Sequence, residues 1–283
     1  MRSMGLFGKF FIAFAIWTVA FLSLASYAGS KAYEQDPTLI KKIEDNYNVR
    51  VHIGGISKVD AGWEEIKDTW NFAPPVKKVS FKSVNATVSF KRGSGPDLLI
   101  SASGRLDKNK APRLLQTEVK GEELIIQQPE NEATNELEVR IEVPASMTKN
   151  IEIVTVNGNI VLENTQTEEL SIKTVAGDVI LKQIAATSIA LHSVSADVKA
   201  EDISTRKISG KSVSGDLEIS TLSPAEVSFT SISGDVKLKL SPSDKLRFSL
   251  KSVSGEIHNR HGSNKNGNIG VSVSTTSGDI EIE

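Results

Sequence analysis

The chain has 283 residues, 39% of them hydrophobic but only 6% aromatic, so any core must be built mainly from aliphatic side chains. Its formal charge of −2 lacks the basic surplus of a nucleic-acid binder, so nucleic acid is not an expected partner. It has no cysteine, which excludes disulfides, Fe–S clusters and thiol catalysis but not export.

Residues 1–28 have the pattern of a targeting segment. Arg2 and Lys9 flank its start, "FFIAFAIWTVAFLSLAS" (10–26) runs apolar without an acid, and Ser26 and Ala28 place small residues at −3 and −1 for cleavage before Gly29. The run is long for a signal peptide and short for a spanning helix. A cleaved signal peptide and a retained N-terminal anchor both stay open, and a retained anchor is the one membrane contact expected. Both readings export the chain, to the periplasm, the cell envelope or the cell surface. Losing Arg2 and Lys9 by cleavage takes the formal charge from −2 to −4.

The stretch 29–75 is expected to be helical or irregular. In "DPTLIKKIEDNYNVRV", Asp36 suits an N-cap, Pro37 the first helical position, and Leu39, Ile40 and Ile43 fall at helical spacing. "DAGWEEIKDTWNF" (60–72) predicts a second short helix, with Trp63, Ile66 and Trp70 at i, i+3 and i+7 as core anchors, ended by Pro74-Pro75. From 76 to 150 the period changes to two. "VKKVSFKSVNATVSFKR", "DLLISASGRL", "LLQTEVKGEELIIQQ" and "ELEVRIEVP" predict strands without a fixed spacing, an irregular β section capping the remainder of the chain.

That remainder, 151–283, is a repeat. "KSVSGDLEI" (211–219) has near-copies in "KTVAGDVIL" (173–181), "HSVSADVKA" (192–200), "TSISGDVKL" (230–238) and "KSVSGEIHN" (251–259). With the Gly or Ala of each copy as position zero, the copies centre on Gly158, Gly177, Ala196, Gly215, Gly234, Gly255 and Gly278, mostly 19 residues apart. Such a period marks a solenoid, and β-branched, polar residues make its coils strands. Apolar columns recur at −7 (Ile151, Leu170, Ile189), −5 (Ile153, Ile172, Leu191), −2 (Val156, Val175, Val194), +2 (Ile160, Val179, Val198) and +4 (Leu162, Leu181, Ala200), the ladder core of stacked coils. Gly210 and Asn259 stand among the exceptions in these columns. A period-2 strand changes phase only at a bulge or corner, so these columns predict a corner at −4/−3, Lys211-Ser212 in that copy. Position zero then points inward as a small spacer, the reading Ala196 favours; a true turn glycine is the alternative. The polar loop "NRHGSNKNGN" (259–268) is an insertion that leaves the coil intact.

Positions −1 and +1 are expected to face out together. The candidate interaction face is thus Asp178, Ser195, Asp197, Ser214, Asp216, Ser233, Asp235, Ser254, Glu256 and Asp279, with Ser277 beside it. Carboxylates about 4.8 Å apart repel by about 1 kcal/mol per neighbour in water. Bound cations, hydroxyls or backbone N–H groups must compensate. Ca2+ or a polyhydroxylated ligand is the functional reading, and local hydrogen bonding with solubility the structural one. One carboxylate per coil is a thin donor set for calcium, so no cofactor is expected. His258 and His261 form an H-x2-H without further ligands, His192 sits in a Lys/Thr column as a solvated side chain, and "RGSGPD" (92–97) lacks the end of a phosphate loop. No nucleophile elbow or triad is visible. No catalytic, cofactor-binding or metal residues are assigned.

"LEVRIEVPASMTKNIEIVTVNGNIVLEN" followed by "KTVAGDVIL" and the "SVSGDV"-type copies resembles the bacterial candidate-adhesin family of unknown function, over 76–283 and most closely over 138–283. The resemblance implies a β-solenoid carrying repeated Ser-Gly-Asp motifs and no catalytic residues. Residues 29–75 fall outside it, and Ala196 departs from its motif. The expected architecture is all-β: a single-stranded β-solenoid (β-helix) of about seven coils of about 19 residues, behind the irregular section and a short helical segment. The expected function is a non-enzymatic envelope or surface interaction protein, adhesive or scaffolding, whose ligand is a glycan or a protein. The acids of "GDIEIE" (278–283), taken as the last edge strand, would discourage end-to-end stacking. Two alternatives stay open: a carbohydrate-active or cation-dependent enzyme acting on an envelope polysaccharide, and a passive structural spacer.

Overall fold

The computed structural model describes residues 63–283 apart from 74, 130–133, 145–148, 224–225, 242, 244 and 262–264. The segment 1–28 and the helix expected from Asp36 lie outside the described residues. Within them the chain is all-β, a single sheet of 18 strands. The first are β1 (Trp63–Phe72), β2 (Lys78–Ser83), β3 (Thr87–Gly93), β4 (Leu98–Asp107), β5 (Gln116–Lys120), β6 (Glu123–Gln127), β7 (Thr134–Pro144), β8 (Asn150–Asn157) and β9 (Ile160–Ala176). The remainder are β10 (Val179–Ser195), β11 (Val198–Lys211), β12 (Leu217–Leu222), β13 (Glu226–Thr230), β14 (Val236–Leu240), β15 (Leu246–Ser254), β16 (Ile257–Asn259), β17 (Ile269–Ser277) and β18 (Ile280–Ile282). β1 replaces the helix expected over 60–72. Its apolar residues do sit at helical spacing, but all ten residues lie in register with β4, from Trp63↔Asp107 to Phe72↔Leu98, and every second one bonds to it through its backbone. An i, i+3, i+7 pattern in so short a stretch does not outweigh a full antiparallel ladder.

In the middle of the chain each residue pairs, in parallel, with its own copy. Ile160 faces Val179, Val179 faces Val198 and Val198 faces Leu217. The columns at −7, −5, +2 and +4 point inward, and Leu170, Ile189, Ile172, Ile160, Val179, Leu162 and Leu181 are all buried. The Gly210 exception has a packing reason. A Cβ there would lie about 2.4 Å from Cε1 of Phe229, whose ring fills the space left in the column. A second bend falls at +6, where Asn164, Gln183 and Asp202 take φ of 46°, 54° and 56°. Asn and Asp tolerate this left-handed conformation better than most side chains.

The order of coils in the stack departs from their order in the chain at both ends. β2 lies between β6 and β8, and β3 between β7 and β9, so the section 76–150 supplies further rungs of the solenoid as well as a cap. The cap itself is antiparallel: β5 on β6, β4 on β7 and β1 on β4. At the other end β17 is held between β13 and β15, and β18 between β14 and β16. The stretch "GDIEIE" is therefore interior, and the end rung is β15–β16. The loop after Asn259 carries the chain back from that end rung to the interior. Asn259 breaks the +4 column because no further coil covers it: it is exposed, while Ile282 beneath it is fully buried.

Candidate functional site

The Ser-Gly-Asp corner holds the residues singled out by sequence. It turns at the glycine itself, not at −4/−3. Gly177, Gly215, Gly234, Gly278 and Gly255 have φ of 102°, 112°, 129°, 152° and 158°, a region closed to most L side chains. They are turn glycines, not inward spacers, and the rungs also crowd them. A Cβ on Gly215 would stand 2.3 Å from the carbonyl oxygen of Ala196, and one on Gly234 2.3 Å from that of Gly215. At Ala196 and Gly158 φ is not positive, so those coils make the corner without the left-handed residue.

Moving the corner reverses two columns. Position −3 points inward: Thr155, Thr174, Ser193 and Ser231 are buried. The hydroxyls of these four are satisfied locally, while that of Thr275 in the same column has no partner among the described residues. Thr174 Oγ1 donates to the Ala176 carbonyl (2.9 Å), and Ser193 Oγ to Ser212 Oγ (3.0 Å), which donates in turn to the Ser214 carbonyl (3.0 Å). Position −2, assigned to the core by its hydrophobicity, forms an outer ridge where Val156 is 45% exposed, Ile232 54% and Val253 83%; Val194 alone among the buried residues keeps that column inside. Sequence inspection missed the −3 column, although a Ser or Thr recurring in every copy was its signal.

The acidic column faces out as expected: Asp178, Asp197, Asp216, Asp235, Glu256 and Asp279 are exposed, as are Ser195, Ser214, Ser233 and Ser254. Four of these carboxylates are tied to the adjacent coil. Asp197 Oδ1 accepts from the backbone N–H of Asp216 (2.9 Å), and Asp216 Oδ1 from that of Asp235 (2.8 Å). Asp235 Oδ1 accepts from Asp279 N–H (2.8 Å), and Asp279 Oδ1 from Glu256 N–H (2.8 Å), in the interleaved order of the stack. Asn159 does the same for Asp178 (3.0 Å). This ladder of N–H donors offsets the repulsion between neighbouring carboxylates. The second oxygen of each lies on the exposed side chain, one per rung, about 4.8 Å from the next.

Beside the corner runs a basic column in which His192 pairs with Lys173 on one side and Lys211 on the other. Burial, then the charges of Lys211 and Lys173, push the His192 imidazole below the usual histidine range. It is half-buried, not the freely solvated side chain expected. Farther along the same face Lys173 donates to Glu152 (3.1 Å), which with Lys78 nearby holds that carboxyl below its ordinary range. His258 and His261 turn to different partners, the Glu256 carboxylate (2.9 Å) and the Phe248 ring (6.1 Å between centroids). Among the described residues no group of three or more His, Cys, Asp or Glu is placed to hold a metal ion. The depression at the corner, between Leu191, Gly210 and Phe229, amounts to about 30 Å³, room for a single water.

Residues 107–283 match the family described as Toastrack DUF4097. Among solved structures the chain is similar to a candidate lipid-binding protein from Parabacteroides distasonis, at 17% identity and a TM-score of 0.51, over 77% of this chain and 96% of that one. It is also similar to a candidate adhesin from Bacteroides fragilis, at 16% identity and a TM-score of 0.46, over 78% of this chain and 97% of that one. Identities this low speak to fold and not to ligand. No curated protein matches the chain. The matched stretch holds the whole run of Ser-Gly-Asp copies and more than half of the sequence, and the chain belongs to the Toastrack DUF4097 family.

Proposed function

We propose that this chain is an exported cell-envelope or surface interaction protein that binds, without catalysis, through the Ser/Asp corner face. The observation that carries this reading is the uniformity of the carboxylate ladder. Each acid from Asp197 to Glu256 occupies the same place on its rung, and Asp197, Asp216, Asp235 and Asp279 each spend one oxygen on the next rung's amide. A reacting centre needs two or three groups made unlike one another by their surroundings. A repeated array of like groups suits instead a ligand that is itself repetitive or extended, such as a glycan chain presenting hydroxyls or a protein surface presenting amides. The apolar, positively flanked run at 10–26 supports export.

The test is a D197N/D216N/D235N triple variant in a binding screen against glycans and envelope fractions, with and without Ca2+. Asn keeps the oxygen that accepts the inter-rung hydrogen bond, so the fold should be intact while binding drops at least about tenfold, roughly 1.4 kcal/mol. Unchanged binding removes the face as the site. Turnover on an envelope polysaccharide would favour the enzyme alternative, and a chain that binds nothing would favour the spacer.

A further inference from the structure

The two ends of the stack are unlike. At one, the antiparallel strands β4, β5 and β1 close the ladder. At the other, among the described residues, β15 and β16 each carry a neighbour on one side only, β17 and β18. Leu246 is buried there and the His261 ring stacks on Phe248, but the columns of Leu250 and Ile257 end uncovered. Ile257 is 42% exposed over the fully buried Ile280, and Leu250 is only half-buried over the buried Val273. An exposed strand edge over an unfinished apolar layer is the geometry of β-augmentation, in which an extended segment adds one more strand.

Charge selects the segment. Along the +3 column the sign alternates from coil to coil: Lys199 pairs with Glu218, Glu218 with Lys237, Lys237 with Glu281 and Glu281 with His258. The side chains meet accordingly, Lys237 with Glu281 at 3.0 Å and Arg260 with Glu281 and Glu283 at 3.7 and 3.4 Å. The series stops on a basic rung, where Arg247 and Lys251 are also exposed and Glu256 is the one acid. Head-to-head pairing of two copies in antiparallel register about Ser249 would set Arg247 against Lys251, like charges directly opposed. We infer that the open end rung β15–β16 is a docking edge for an extended segment of a partner protein in which apolar and acidic residues alternate. Its apolar side chains cover Leu250 and Ile257, and its acids meet Arg247, Lys251 and Arg260. This edge shares only Ser254 and Glu256 with the corner face and none of Asp197, Asp216 and Asp235.

The natural probe is a labelled peptide of residues 269–283, "IGVSVSTTSGDIEIE", which the fold already places in register against β15 and β16, carrying Glu in place of Gly270 and Ser274, the positions that face Arg247 and Lys251. Its counterpart carries Lys at both of those positions. Fluorescence anisotropy on residues 29–283 should show the acidic peptide binding at least tenfold tighter than the basic one. An R247E/K251E variant should invert that preference, and its gain of basic-peptide binding is itself the control for folding. The D197N/D216N/D235N variant should bind the acidic peptide as the wild type does, which separates this edge from the corner face. Equal affinity for both peptides, no binding of either to the wild type, or no inversion in R247E/K251E would overturn the inference.

Discussion

Replacing Gly234 with Ala tests the corner directly. Two costs arise from one methyl group. The backbone at φ 129° lies where an L residue is strained, by about 1–3 kcal/mol. The new Cβ would also stand 2.3 Å from the carbonyl oxygen and 2.9 Å from the carbonyl carbon of Gly215. That neighbour is backbone, fixed in its own rung, and cannot swing away as a side chain end would. Relief requires the two coils to part by about an ångström, an overpacking cost of about 1–3 kcal/mol. The expected loss is therefore about 2–6 kcal/mol, a large fraction of a domain's net stability. Urea unfolding followed by far-UV circular dichroism measures it, with Gly95→Ala as the control, since a Cβ on Gly95 meets nothing within 4 Å. The control should change stability by less than about 0.5 kcal/mol. If Gly234→Ala falls within about 1 kcal/mol of the control, the crowding and strain assigned to the corner are wrong.

Asp216→Ala should cost about 1–3 kcal/mol because it strands the Asp235 amide, whereas Asp216→Asn retains the accepting oxygen and should cost less than half of that; equal losses in urea unfolding would contradict the ladder. His192 gives a pH dependence. Its folded pKa lies below the ordinary 6.5, so the unfolded chain binds the proton more readily, and stability falls as pH drops from 6.5 toward the lowered folded value. His192→Gln should flatten that part of the stability–pH curve, and an unchanged slope in unfolding measured between pH 7.5 and 5 would count against it.

Most of the architecture could be read from the 19-residue period and four of the five apolar columns, since those side chains have nowhere to go but inward. The fifth column misled because hydrophobicity and hydrogen bonding pull against each other at −3 and −2. A Ser at −3 faces in to close the corner with its hydroxyl, and the Val at −2 is pushed out onto the ridge despite being the more apolar. Position +1 was placed correctly, because either location of the corner leaves it outside. The helix expected over 60–72 failed through a long-range cause, the presence of β4 across from Trp63, which local spacing does not encode. Coil order is likewise invisible in the repeat: copies centred on Gly255 and Gly278 look alike, and only the pairing of β13 with β17 reveals that the later one stacks first. Gly210 and Asn259, which looked like flaws in the columns, mark a ring-filled gap and the end of the stack.

Interleaving at the ends changes how the molecule can come apart. In an ordinary solenoid the terminal coil frays first and opening runs inward along the chain. Here residues 269–282 cannot leave without stripping β15 and β16 of their neighbours, while 246–259 can lift away and leave the rungs beneath intact. Local opening therefore tracks stack order and not chain order. In native-state hydrogen exchange the amides of 246–259 would trade with solvent before those of 269–282. Each end is thus fastened by a segment held one layer deeper than the surface it secures.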